Sequence, residues 1–205
     1  MASFTQPMDD VMTNNLEEVV AVAAIPDTWD VLIVGDGAGC WWDGPCGWGC
    51  ALIDRHLKRR RAFYGGLSTG SIAIAELLPT VHAMLWYAEF HGHARKKALR
   101  RGTLNVHVIT DNAPTVSQWN SLTRGGAKAQ KIRRKRPLWN ILLQLERAGY
   151  IFHFHWVPRN TIGLNVTADK LSRIARRTIA EVALKFADAD GHGIDHEIYT
   201  IDASA

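Results

Sequence analysis

The stretch from Asp30 to Asp54, DVLIVGDGAGCWWDGPCGWGCALID, decides the fold. Val31-Leu32-Ile33-Val34 is an unbroken apolar, largely β-branched run, the pattern of a central strand buried on both faces. It ends in Gly35-Asp36-Gly37, an acid at a strand's carboxyl end between two glycines. The turn-rich CWWDGPCGWG follows, and Gly49 to Asp54 returns as a second strand. Lys58 to Arg61 reads as a basic turn and Ala62 to Leu67 as a third strand, so the three form an antiparallel meander.

Beyond the meander the period changes. Ile74 to Phe90 has helical spacing, with Leu77, Val81, Met84, Leu85 and Ala88 on one side. Pro79 is tolerated only in a first turn, so the helix starts near Ile74 to Glu76 or is kinked. Leu104 to Thr110 is a fourth strand, again ending in an acid, Asp111. A short helix over Pro114 to Leu122 leads into a basic, glycine-containing loop. Pro137 opens a helix to Ala148, with Leu138, Ile141, Leu142 and Leu145 on one face, and Gly149 closes it. Ile151 to Val157 is a fifth strand, with Phe152, Phe154 and Trp156 on one face and His153 and His155 on the other. The two histidines read as a partly exposed sheet face beneath a helix rather than as metal ligands. Thr167 to Phe186 is a long helix. The order is that of an α/β fold, a five-stranded mixed sheet (three antiparallel strands, then two parallel) with helices on both faces. Three segments are expected: an appendage over residues 1–28 with a short helix at Asn14 to Ala24, a catalytic domain over 29–187, and a polar tail over 188–205. The tail's Asp188 to His192 only faintly resembles a calcium loop, since the ligands that loop needs are missing at their spacing.

The 205 residues are 47% hydrophobic and 21% charged, which excludes disordered and fibrous classes. No apolar run approaches the ~20 residues that span a bilayer, and the acidic, polar start lacks a signal peptide's pattern. The expectation is a cytoplasmic protein, or a nuclear one in a eukaryotic host, with no membrane partner. Cys40, Cys46 and Cys50 lack zinc or disulfide-framework spacing and read as small buried residues. The net charge is a modest +4, but it is unevenly spread. Asn112 to Leu145 contains no acid and seven bases: Arg124, Lys128, Lys131, Arg133, Arg134, Lys135 and Arg136. Arg95, Lys96, Lys97, Arg100 and Arg101 precede them, and two such clusters in a Trp-rich chain point to a polyanionic partner.

Four acids fall at strand ends or helix starts: Asp36, Asp111, Glu76 in the first turn of the first core helix, and Asp169 in the first turn of the last. Strands one and four lie side by side and parallel if the first core helix is their crossover, which places Asp36 and Asp111 at neighbouring ends. Converging carboxylates repel unless a cation compensates, and an all-oxygen set suits Mg²⁺ or Mn²⁺. Two such ions about 3.5–4 Å apart serve phosphodiester hydrolysis. Singly, each acid reads as a helix cap or a strand-end surface charge, and only the set of four points to a metal site.

Five blocks together resemble type 1 ribonuclease H. Asp36-Gly37-Ala38-Gly39, with Pro45 and Gly47-Trp48-Gly49-Cys50-Ala51, is similar to that family's opening hairpin. Ala75-Glu76-Leu77 resembles its helix-borne Glu, Thr110-Asp111-Asn112 its strand-end Asp, and Leu138-Trp139 the helix after its basic segment. His155-Trp156-Val157-Pro158-Arg159, Asn165 and Ala168-Asp169-Lys170-Leu171-Ser172 resemble its closing block, especially in retroelement relatives. The resemblance covers about Asp30 to Arg177. It implies a metal-dependent endonuclease that cuts the RNA strand of RNA–DNA hybrids, with Asp36, Glu76, Asp111 and Asp169 as catalytic ligands of two Mg²⁺ ions, Mn²⁺ substituting. Asp36 is then the bridging ligand. Ser68, Thr69, Ser71, Asn112 and Asn165 are expected to contact the hybrid's 2′-hydroxyls and minor groove. Lys128, Lys131, Arg133, Arg134, Lys135, Arg136 and Arg159 are expected to hold phosphates. Lys131 to Arg136 is thereby read as substrate-binding rather than as a nuclear targeting run. A monomer acting on the hybrid, alone or beside a reverse transcriptase or replication partner, is the expectation.

The chain departs from the family at three places. The loop before the last acid is Arg159-Asn160-Thr161-Ile162-Gly163, without the mobile His of the cellular enzymes. Ile72-Ala73-Ile74 stands where hybrid-contacting Asn residues are common, and the Gln expected after Asp111 is absent. Weaker hybrid selectivity and slower turnover are the expected consequences. A structure-selective DNA nuclease on the same fold and a non-catalytic nucleic-acid-binding domain are the alternatives.

Overall fold

The computed structural model describes residues 17–39, 44–56, 59–100, 102–135, 137–159, 161–190 and 198–202. Cys40 and Arg136 lie outside these, as do Gly191 and His192 of the calcium-loop-like stretch, whose Asp188 to Asp190 end the last helix. Residues 17–22 are helical (α1). β1 (Val31–Ala38), β2 (Gly44–Asp54) and β3 (Arg59–Gly70) form the antiparallel meander. The hairpin is longer than the sequence reading. Most of the expected turn is strand, because Gly35 to Ala38 pair with Gly47 to Cys50 across the ladder. β4 (Leu104–Thr110) runs parallel to β1 with Val34 opposite Ile109, and β5 (Tyr150–Trp156) runs parallel to β4. The order is β5-β4-β1-β2-β3-β6.

The sixth strand corrects the sequence reading. β6 (Ile198–Asp202), inside the segment expected to be a polar tail, pairs antiparallel with β3 through Phe63 to Leu67. The alternation Ile198-Tyr199-Thr200-Ile201 is strand-like, and pairing satisfies an edge that would otherwise expose its backbone groups. The described part of the expected appendage, residues 17–28, is not detached either. Val19, Ile25 and Trp29 are buried against Leu32, Val34 and Ile53 in one of two cores.

The other core lies across the sheet, where Val31, Ile33, Trp48 and Cys50 face the crossover helices. The first of these breaks in two: α2 (Ile72–Ala75) stops at Glu76, and α3 (Leu78–Tyr87) starts anew with Pro79 in its first turn. The proline has no N–H to give, so the interruption sits where the sequence requires one. A π-helical turn, Ala88–Gly92, and α4 (His93–Ala98) complete the crossover. α5 (Ala113–Arg124) and α7 (Leu138–Arg147) pack Trp119 and Trp139 into this core. Their indoles donate to Phe152 O and Gln118 Oε1, so both tryptophans are packing residues.

Between them the expected basic loop is a helix, α6 (Gly126–Lys135). The chain turns at Gly125 and Gly126, and the following Ala, Lys, Gln and Arg are strong helix formers. Ala129 anchors α6 to the core and leaves Lys128, Lys131, Arg134 and Lys135 exposed. His153 and His155 face away from this core, as expected, and stack on buried His107, whose Nδ1 is 2.9 Å from His155 Nε2. No helix among the described residues is long and apolar enough to cross a membrane.

α8 (Gly163–Asp190) starts four residues before the expected Thr167, because Leu164 already belongs to its buried stripe. That stripe, Leu164, Ala168, Ser172, Ala175 and Ile179, is mostly small and lies flat on β2. A Cβ at Gly47 would stand 2.2 Å from Ser172 O and 2.4 Å from Arg176 N, both backbone atoms. Gly47→Ala is therefore expected to push α8 off the sheet at a cost of about 1–3 kcal/mol, read as a lower urea midpoint. An unchanged midpoint would contradict this packing.

Candidate active site

Asp36 lies inside β1, just past the end of its pairing with β4. Continuing the register from Val34↔Ile109 by two residues sets Asp36 beside Asp111, as the parallel arrangement predicts. Glu76 reaches them from the break between α2 and α3, where it caps α2. This approach depends on Gly37: a Cβ there would sit 2.5 Å from the backbone of Ala75 and Glu76. One carboxylate oxygen from each of Asp36, Glu76 and Asp111 lies within 4.8 Å of the others. Asp36 is 1% exposed and Glu76 8%.

Asp169 stands apart from that trio. It is in the second turn of α8 rather than the first, because the helix begins early. Arg173, one turn on, grips it through two contacts of 3.1 and 3.0 Å. Arg159 spans the gap, its Nε 3.2 Å from Asp111 Oδ2 and its Nη2 3.4 Å from Asp169 Oδ1. Ser172, fully buried, places its hydroxyl 3.4 Å from Asp36 Oδ2 and 2.9 Å from Asp169 O, and its single proton serves one acceptor at a time.

The surrounding polar groups hold this rim in shape. Asn112 accepts from the Thr115 N–H and hydroxyl as the N-cap of α5, and its side chain also hydrogen-bonds Glu76. The Trp156 indole donates to Asp111 O at 3.0 Å. Glu76, Asp111, Asp169, Asn112 and Arg159 open onto a cleft of about 850 Å³, which Ile72 and Gly37 to Gly39 also line.

The other expected contact residues are more scattered. Thr69 is exposed at the end of β3, and half-buried Ser71 precedes α2. Ser68 Oγ is buried, and Asn165 is 3% exposed, which withdraws it from a groove-contacting role. Lys128, Lys131, Arg133, Arg134 and Lys135 lie on α6 and do not line the cleft. Ser172 and Arg173 were not singled out from sequence, although their i+3 and i+4 spacing from Asp169 was there to be read. Nothing in the sequence pattern marks the Trp156 contact.

Crowding of negative charge sets the electrostatics. Burial, then the charges of Asp111 and Asp169, pushes Asp36 up to about 7. Burial, then Asp36 and Asp111, pushes Glu76 up to about 8. Asp36 Oδ1 and Glu76 Oε2 are buried without a hydrogen-bond partner. Orphaned buried oxygens in a tight all-carboxylate set fit a hard divalent cation, which supplies both the missing partner and the missing charge.

No known family model matches the sequence, and no curated protein matches it. Solved structures do. The N-terminal RNase H domain of a Mycobacterium tuberculosis protein is 20% identical, with 75% of this chain and 97% of that one covered and a TM-score of 0.50. RNase H1 from the halophilic archaeon Halobacterium salinarum is 21% identical over 72% of this chain and 98% of that one, at 0.51. An RNase H1 isolated from compost by a metagenomic approach is 18% identical over 73% and 96%, at 0.52. The fold is that of the ribonuclease H domains.

Raised carboxylate pKa values have a thermodynamic sign. The unfolded chain releases the Asp36 proton near its ordinary 3.8 and the folded chain only near 7, so ion-free stability falls as pH rises through that interval. The slope is at most about 1.4 kcal/mol per pH unit for one group. Asp36→Asn removes this loss. In EDTA the variant is expected to melt above the parent at pH 8, with the gap closing towards pH 4. A gap independent of pH would contradict the crowding.

Proposed function

We propose that this chain is a divalent-metal-dependent endonuclease of the ribonuclease H type, cutting the RNA strand of RNA–DNA hybrids. The observation that carries the reading is the meeting of Asp36, Glu76 and Asp111 within 4.8 Å at the strand ends of this fold. Asp36, Glu76 and Asp111 would hold Mg²⁺ or Mn²⁺, with Asp169 added once Arg159 and Arg173 turn to other anions. Bound there, a pair of divalent ions supplies an activated water and charge relief at the leaving oxygen of a phosphodiester.

The chain's own groups do the positioning. Asn112 orients Glu76 while capping α5, so the carboxylate is set before substrate arrives. Arg159 stands exposed at the cleft mouth and offers a planar, permanently charged fork to a phosphate, which suits it to binding and not to proton relay. Thr69, which is exposed, and half-buried Ser71, near the start of α2, would test a 2′-hydroxyl. The exposed lysines of α6 add salt-sensitive, sequence-independent affinity.

One observation favours a looser reading of the same chemistry. Ile72 lines the cleft and offers no hydrogen bond where selectivity for hybrid is expected to be read. Cleavage of matched hybrid, double-stranded RNA and branched DNA separates the readings. Hybrid is expected to be cut fastest, with Mg²⁺ or Mn²⁺ required and EDTA abolishing activity. Equal cutting of all-DNA substrates would overturn the hybrid assignment. Residues behind metal ligands already cost 10–100-fold when removed, so Asp111→Asn, at a ligand itself, is expected to lower kcat by ~100-fold or more with the melting temperature kept. A variant that cuts like its parent would contradict the enzymatic role.

A further inference from the structure

The cleft does not end at the carboxylates. It continues along α8 past Arg173, Arg176 and Arg177 to Ala180, a run of about 16 Å at 1.5 Å per residue from Asp169. Beyond Asp169 its lining is neutral or positive: Gly37 to Gly39 and Ile72 on one side, the three arginines on the other. The sequence from Lys170 to Ala180 contains four bases and no acid. Arg173, Arg176 and Arg177 recur at i, i+3 and i+4, which sets their guanidinium groups on one face of the helix.

This row and α6 flank the acids from opposite faces of the sheet. α6 joins the core that contains Trp48 and Cys50, whereas α8 lies over Gly47, on the other side of β2. Resting on the nuclease reading above, we propose that the α8 arginines form a second phosphate-binding track, which takes the sugar–phosphate backbone flanking the cut on the face opposite α6. Arg173 links track and site, because the guanidinium that now grips Asp169 is the first of the row. A backbone phosphate and Asp169 compete for it, so filling the track frees the fourth carboxylate.

The experiment is a salt series of binding isotherms in EDTA, where nothing is cut, with a short and a long RNA–DNA hybrid. The intact chain is compared with Arg176→Ala/Arg177→Ala and Arg176→Lys/Arg177→Lys. Each lost phosphate contact flattens the log K against log salt slope by about 0.9. The alanine pair is expected to flatten it by about 1.8 on the long hybrid, to weaken binding by about 60-fold at ~0.1 M salt, and to change little on the short one. The lysine pair, which keeps both charges, is expected to match the parent, and circular dichroism checks that each variant is folded. An alanine pair with the parental slope, or a lysine pair as defective as the alanine pair, would overturn the track. A parent that binds with the expected slopes but cuts no hybrid would support the track and overturn only the cutting reading.

Discussion

Three carboxylates held close together at the edge of a buried sheet are the constraint around which this molecule is organised. At an interior dielectric, like charges at such separation repel far more strongly than they do in water. Burial removes the solvent that would otherwise soften the repulsion. The chain answers with cations of its own: Arg159 leans on Asp111 and Asp169, and Arg173 clasps Asp169. Asp36 and Glu76 feel Arg159 only as a weaker opposing charge, and burial and the neighbouring acids push them towards the neutral form. A site built this way is unstable as a set of anions.

The architecture around it explains how the acids reach one rim. β1 and β4 run parallel, so their carboxyl ends coincide, and the crossover helix must break near that end for Glu76 to turn in. Pro79 makes the break, and the missing side chain of Gly37 gives the broken helix room to touch β1. On the other face, small residues of α8 meet Gly47, and the same close contact carries Ser172 to Asp36 and Asp169 to the cleft. Packing and chemistry are thus set by the same few contacts.

Much of this was legible in the residues. The apolar run Val31 to Val34, the two strand-end acids and the alternation in β5 place the five-stranded sheet and two of the four carboxylates, Asp36 and Asp111. The misreadings have physical causes. Glycine-rich Gly44 to Gly49 looks like a turn by composition, yet ladder pairing with β1 makes it strand. The basic segment looks like a loop because charge hides the helix propensity of its Ala, Gln, Lys and Arg. β6 follows a polar stretch, and a short edge strand has no periodicity strong enough to stand out. Arg159 was legible as a phosphate-binding residue, but its hold on two acids is a tertiary fact with no local signature.

Anomalous diffraction from crystals of the intact chain grown with Mn²⁺ tests the site most directly. The expected result is a peak bonded at about 2.0–2.2 Å by oxygens of Asp36, Glu76 and Asp111. A well-ordered map with no ion among these three side chains, or with their carboxylates turned apart at full Mn²⁺, would contradict the account.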